Sequence, residues 1–397
     1  HRLFRRQRQM CIRDRYLTVL TRWFDYNDTF LAKEWAHPSD NFGSIYSYFY
    51  SNPNYKFIDF TTALTKAYEI QGSLCLGTSL NQLGYDHVFY VKLASGAVFS
   101  SLLSKGNEKI VHRTINHILL DGPSLRSYRH FPNVGKRKSW AAADASKRGI
   151  ELAKISQLND EVYSSIQDDK NWGFEKNYLN DSEIKFGKEL NDWVIQNVLF
   201  KVLFPAEFHG QSAVEGAIKL SKEFNQNIDK VKKINIFTHE PAIRIIANKE
   251  NLSNASDRDH SLEYMVSAAL LFGELKYEMY GNDFSGLNKI ESLRKKIVVR
   301  EDSNFTKNYY EFSKRHISNS IEIVYDNNST SEKITIENPI GHPSRREEAI
   351  PLLKEKFIRN VQNVLSLEKS MSLWEQVINL EKDDELTKFF NILQDDE

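Results

Sequence analysis

The apolar residues change their spacing once along the chain, near Phe204-Pro205, and that switch limits the fold more than any other feature. Between Leu17 and Phe200 they recur every three or four positions, as on the buried face of an amphipathic helix. Residues 61–76, 86–103, 110–120 and 141–155 read as helices on this ground, and Ala94, Gly96 and Ala97 predict the close approach of another helix. Residues 157–189 are polar and irregular and read as a surface excursion. Beyond the switch, 211–224 is helical, while 231–246 opens with the period-2 alternation of a half-buried strand. Residues 257–272 read as one helix opened by Ser256-x-x-Asp259, a near capping box. Residues 320–325 and 333–337 flank DNNSTSE and predict a β-hairpin. Ser344-x-x-Glu347 then caps a helix over 346–364. The expected class is mainly α: a large all-α domain, 17–203 and 343–397, interrupted by a smaller α+β lid domain at 204–342.

The lead, residues 1–16, reads differently. It is rich in arginine and shows no helical apolar stripe, and we expect it to be non-native or disordered. Two cysteines, Cys11 and Cys75, exclude a disulfide framework and fit a reducing cytoplasm. They are also too few to hold a four-iron cluster by thiolates from this chain. No stretch of about 20 apolar residues predicts a membrane span. Fifty-three basic residues balance 53 acidic ones, which argues against wholesale nucleic-acid binding. No GxGxxG or Walker loop supports a nucleotide site.

Against that neutral background, RSYRHFPNVGKRKSW gathers Arg126, Arg129, Lys136, Arg137 and Lys138 around a Pro-Asn-x-Gly turn and a helix start. Helix N-termini attract anions through free N–H groups and the macrodipole. A cage for a small polycarboxylate is one reading. A solvated charge run is another, and a nuclear-localisation or RNA patch a third. The interleaved Tyr128, Phe131, Pro132 and Trp140 favour a packed loop.

FDYNDTFLAKEWAHPSDN places Asp25, Asp28, His37 and Asp40 between apolar residues. A histidine beside carboxylates is a general acid/base candidate, and turn and cap duty is the competing reading. Metal has little support, because no second well-spaced ligand pair follows. His87 stands at a helix start. Lys201, Glu207 and His209 stand near the domain junction, where clefts form. His260 and Tyr264 share a helical face at i and i+4.

EWAHPSDN, SLRSYRHFPNVGKRKSWAA, NVLFKVLFPAEFHGQSAVE, THEPAIRII, DRDHSLEYMV, KIVVRED and NPIGHPSRREEAIPLLKEKF together resemble the MmgE/PrpD family, in its 2-methylcitrate dehydratase branch. The resemblance runs from about Trp23 to about Asn360. It implies a helical domain split in sequence, an α+β lid, a homodimer and a site between the domains. It implies a cofactor-free dehydration of a small tricarboxylate in propionate breakdown, with no metal, nucleic-acid or membrane partner. Decarboxylation or epimerisation of a related polycarboxylate, and an inactive truncated chain, are its alternatives. Motif matching implies Asp25, His37, His87, Lys138 and Tyr264 as catalytic, and Thr29, Arg126, Arg129 and Lys201 as substrate-binding. Glu207 stands where the family's decarboxylase has histidine, and Phe30 where its dehydratases usually have tryptophan. The match begins past the family's N-terminal helical portion.

Overall fold

A computed structural model of the chain describes residues 2–130, 132–158, 163–247 and 251–393, with side chains from residue 12 onward. Phe131 and the Cys11 side chain lie outside the described residues. The first half is helical. Phe57–Gly77 starts where the Asp59 carboxylate accepts the Lys56 N–H at 2.9 Å. Glu108–Asp121 starts where the Asn107 side chain accepts the Lys109 N–H at 3.1 Å. Val88–Leu103 is buried nearly all round and packs against Arg137–Ile155. Their contact depends on Gly96 and Gly149: a Cβ on Gly149 would lie 2.6 Å from the Lys92 carbonyl oxygen, and one on Gly96 would lie 3.3 Å from the Gly149 carbonyl oxygen.

From Arg2 onward the lead is helical in this structure. Arg2–Arg22 is one helix, packed on Phe42–Ser51 and Arg137–Ile155. From residue 12 onward its buried positions are polar, Asp14, Thr18 and Arg22, which leave no apolar stripe. Asp14 is fully buried and accepts the Ser146 hydroxyl at 2.8 Å. The helix ends by delivering Arg22, which is buried, to the loop that follows.

Two short strands, β1 (Phe30–Leu31) and β2 (Trp35–Ala36), pair antiparallel. The second half builds a four-stranded sheet from β3 (Val231–Thr238), β4 (Ile297–Glu301), β5 (Asn319–Tyr325) and β6 (Ile334–Ile336). The order is β4-β3-β5-β6, with β3 and β4 parallel and the other pairs antiparallel. Ile234 pairs with Ile323 and Ile236 with Ile321, and their side chains pack with Gln211–Gln226 and Leu262–Phe272 in one core cluster. The expected β-hairpin is the β5–β6 pair. After the sheet the chain returns to the helical half, where Leu386, Phe389 and Phe390 join Ile45, Phe49 and Phe60 in a separate core.

Two expected helix starts differ. Residues 257–272 form two helices. Ala255–Arg258 is capped by Asn254, with Asp257 completing the capping box, and Leu262–Phe272 is capped by Ser261. The break leaves Asp259 and His260 outside the longer helix. At Arg346–Val361 the expected serine cap is inverted: His342 Nδ1 accepts the Ser344 N–H at 3.2 Å. No helix among the described residues is long and apolar enough to cross a membrane.

Candidate active site

The loop after the first helix carries the centre of the site. Asp25 adopts a left-handed backbone with φ 49°, a conformation that strains a non-glycine residue. Lys201 holds it there, because its Nζ donates to the Asp25 carboxylate at 2.7 Å and to the Asp25 carbonyl oxygen at 2.5 Å. Arg22 lies 3.2 Å from the same carboxylate. Burial alone would raise the Asp25 carboxyl, but the charges of Lys201 and Arg22 overcome it and hold it well below its usual range.

His37 sits beside this cluster, just ahead of a 3-10 turn, Pro38–Asn41. Its Nδ1 lies 2.6 Å from the Asp28 carbonyl oxygen, which can only accept, so Nδ1 carries the proton and Nε2 the lone pair. Nε2 faces the Asp25 carboxylate at 3.9 Å and makes no hydrogen bond among the described residues. Thr29 Oγ1 lies 3.5 Å from the ring, and Thr29 is pinned by its backbone pairing with Leu199. Burial, then the Arg22 charge, push His37 well below its ordinary value of 6.5, so it is neutral near pH 7.

The His87 ring lies 6.1 Å from that of His37, centroid to centroid. Its Nδ1 is 3.4 Å from Arg126 Nη1 and also 3.4 Å from Asp86 Oδ1. Its Nε2 is buried without a hydrogen-bond partner. Burial outweighs the Asp86 carboxylate and, with Arg129 and Arg126, keeps His87 well below 6.5.

The cationic stretch divides its labour in a way the sequence did not reveal. Arg129 is spent on Asp86, donating from Nε at 2.5 Å and Nη2 at 3.3 Å. Arg137 stacks on Trp140 and Tyr128. Lys138 is buried and already paired: its Nζ donates to Asp259 at 2.5 Å and to the Ser256 carbonyl at 3.1 Å, and lies 3.0 Å from His260 Nδ1. It joins the cluster through the lid, since the His260 and Asp259 charges both act on Asp25. Arg126 alone of these three arginines and one lysine is buried with neither a carboxylate partner of its own nor an exposed stacking role; it packs over Trp35 and faces His87.

Of the residues expected in the site, Asp25, Thr29, His37, His87, Arg126 and Lys201 come together. Lys138 and Arg129 border them but hold acids rather than open space. Tyr264 is not among them. It is fully buried in the core under the four-stranded sheet, its hydroxyl donates to the Met279 carbonyl at 2.5 Å, and its charged neighbours are Arg258, Glu291 and Arg294. The i, i+4 relation to His260 fails because the chain leaves the helix at 259–261. Arg22 and Asp259 were missed as site residues, and His260 was named only for its spacing to Tyr264. Glu207 and His209 form a tight pair at 2.8 Å, and His209 Nε2 reaches the Tyr309 hydroxyl at 3.0 Å. Among the described residues no group of three or more His, Cys, Asp or Glu side chains is arranged to hold a metal ion.

Comparison with known proteins agrees along the chain. The MmgE/PrpD N-terminal domain matches residues 16–187, and the MmgE/PrpD C-terminal domain matches residues 204–382. The chain is 40% identical to 2-methylcitrate dehydratase of Escherichia coli K12 over 86% of its own length and 73% of that protein. It is 40% identical to a mitochondrial 2-methylcitrate dehydratase of Yarrowia lipolytica, over 87% of this chain and 68% of the relative. A probable 2-methylcitrate dehydratase of Saccharomyces cerevisiae is 38% identical over 87% of this chain and 70% of its own.

Proposed function

The chain belongs to the MmgE/PrpD family, and from that premise we propose that it is a hydro-lyase removing water from 2-methylcitrate to give 2-methyl-cis-aconitate. The identity to relatives named for that activity supports the substrate. The observation that carries the chemistry is the pair of buried neutral histidines, His37 and His87, 6.1 Å apart beside Arg126. We assign no bound cofactor to the reaction. A homodimer working in the cytoplasm is part of the proposal, although one relative is named as mitochondrial.

The hard step takes a proton from a carbon beside a carboxylate. His37 Nε2 is the base: its tautomer is fixed by Asp28, and its neutrality is enforced by burial and Arg22. Negative charge then develops on the adjacent carboxylate. Cations already in place lower that barrier, because no solvent must reorganise around the new charge. Arg126 supplies one, and Lys138 supplies a second once a substrate carboxylate displaces Asp259.

His87 delivers the proton that lets the hydroxyl leave as water. In the empty site it is neutral, with Nδ1 accepting from Arg126. A tricarboxylate offsets the arginine charges that keep it so. His87 then takes up a proton and turns Nδ1–H toward Asp86, which is equally close. Nε2–H is left to protonate the leaving oxygen. The C–H electron pair becomes the new C=C bond, the C–O pair leaves with water, and the proton on His37 returns to solvent. Asp25, Lys201 and Arg22 hold His37 in place and set its electrostatics.

The test is an assay panel with 2-methylcitrate, cis-aconitate and iminodisuccinate, reading ultraviolet absorbance and released carbon dioxide. Ultraviolet absorbance rising with 2-methylcitrate alone supports the reading. Carbon dioxide from cis-aconitate, or turnover of iminodisuccinate with none of 2-methylcitrate, overturns it.

A further inference from the structure

We propose a second binding site, for a small oxyanion, in the cavity of about 270 Å³ where the lid returns to the helical half, with Arg315 as its principal cation. Ser313, Arg315, His316, His342 and Ser344 line it together with Tyr309, and none of the residues clustered around His37 does. A water occupies about 30 Å³ of liquid, so the space admits a phosphate or a short carboxylate with a few waters.

The charge balance of the cavity carries the inference. The Arg315 guanidinium stacks over Phe30 at 4.8 Å and Trp193 at 5.2 Å, and one nitrogen donates to the Leu31 carbonyl. Among the described residues its buried Nη1 has no hydrogen-bond partner and no carboxylate pairs with it. Arg346, just behind the cavity wall, repeats the pattern. Its Nη2 donates to the carbonyls of Gln196, at 3.1 Å, and Val198, at 2.7 Å, while its Nη1 is buried and unpartnered. A buried charged group without a counter-ion is costly, and the Nη1 atom of each arginine is buried with no hydrogen-bond partner among the described residues.

The nearby acids do not answer them. Glu337 lies 3.1 Å from His316 Nδ1 but is 65% exposed, and Glu311 pairs with Lys314 at 3.0 Å on the rim. The field shows in His342, which burial and the neighbouring His316, Arg315 and Arg346 lower to about 4. The backbone is also set for this geometry. Arg315 stands at φ 53°, and the His342 ring packs against its carbonyl. Gly341, at φ 101°, lets the chain pass Phe200 where a Cβ would fall 1.8 Å from the Phe200 carbonyl oxygen. An oxyanion beside Arg315 would supply the missing negative charge, taking the Ser313 hydroxyl from Glu311, which accepts it at 3.1 Å, and the Ser344 hydroxyl from His342 Nδ1, 2.8 Å away. This site does not depend on the dehydratase reading.

Isothermal titration of the full chain with inorganic phosphate, and separately with succinate, tests it and identifies which anion class fits. The expected result is saturable binding of one of them at one site per chain, weakened at least tenfold in Arg315→Gln and in Ser313→Asp and unchanged in His37→Gln. Ser313 is exposed, so the aspartate variant carries the test alone should Arg315→Gln fail to fold. No saturable binding of either anion at millimolar concentration overturns the proposal. So does binding that survives Ser313→Asp at full strength, and so does binding lost in His37→Gln, which would place the anion in the histidine site.

Discussion

His37 and His87 face one another with ring centroids 6.1 Å apart and planes tilted by 47°, and neither Nε2 makes a hydrogen bond among the described residues. Two imidazoles kept neutral by burial and nearby cations, with one nitrogen each held and the other open, are arranged to pass protons to and from a small molecule between them.

Replacing His37 by glutamine keeps a polar side chain of similar reach but removes the base. Dehydration should fall by about 10²–10⁴-fold in kcat, the usual worth of a positioned base, with an unchanged circular dichroism spectrum. Full activity in a folded variant would remove His37 from the chemistry.

Substrate binding should take up protons. His87 is neutral in the empty site and charged in the complex, so titrations in buffers of different ionisation enthalpy near pH 7.5 should reveal net uptake. His87→Gln should abolish that uptake. Buffer-independent heats would contradict the role given to His87.

Lys201 and Asp25 form a buried pair, and breaking one side leaves an uncompensated charge. Lys201→Met should destabilise the fold by about 3–5 kcal/mol, read by chemical denaturation, less whatever Arg22 recovers. Adding Asp25→Asn should restore part of the loss. Equal losses in the single and double variants would show that the pair is not coupled.

Asp259 competes with substrate for Lys138. Asp259→Asn removes the negative charge while keeping the shape, so KM for 2-methylcitrate should fall roughly tenfold, a change of about 1.4 kcal/mol, with kcat little altered. An increase in KM would mean that Asp259 positions Lys138 rather than occupying it.

Stability should drop with acid earlier than carboxylate titration alone would give. His37, His87 and His239 are held well below 6.5 and His342 at about 4. The unfolded chain therefore binds more protons than the native one between those values and 6.5, and stability rises with pH across that window. It is fully present above 6.5 and lost as pH falls below it. Denaturation midpoints flat from pH 7 to 5 would contradict the buried-neutral state of these histidines.

Much of this was legible in residue order, and the failures share a cause. Periodicity located most of the helices and the β5–β6 hairpin, because those elements bury one apolar face. The residues around His37 and Lys201 were legible through their motifs. Arg22 was not, because the helix that brings it is anchored by polar contacts such as Asp14 with Ser146, which leave no periodic trace. Asp259 was hidden because Ser256-x-x-Asp259 reads as the cap of one continuous helix, whereas the chain breaks before Ser261. Tyr264 was misplaced because helical spacing gives the face a residue shares, not whether that face meets a cleft or the lid's own core. The pairing of Lys138 and Arg129 with acids was invisible because Asp259 and Asp86 are 121 and 43 positions away.

The division of labour between the histidines is tested most directly by exchange of the substrate's α-hydrogen. 2-Methylcitrate is incubated in D₂O with the wild-type chain, His37→Gln and His87→Gln, and deuterium at the carbon beside the carboxylate is followed by proton NMR. The account predicts that His87→Gln, though unable to release water at a normal rate, still exchanges that hydrogen, while His37→Gln does neither. Exchange retained in His37→Gln and lost in His87→Gln would contradict it.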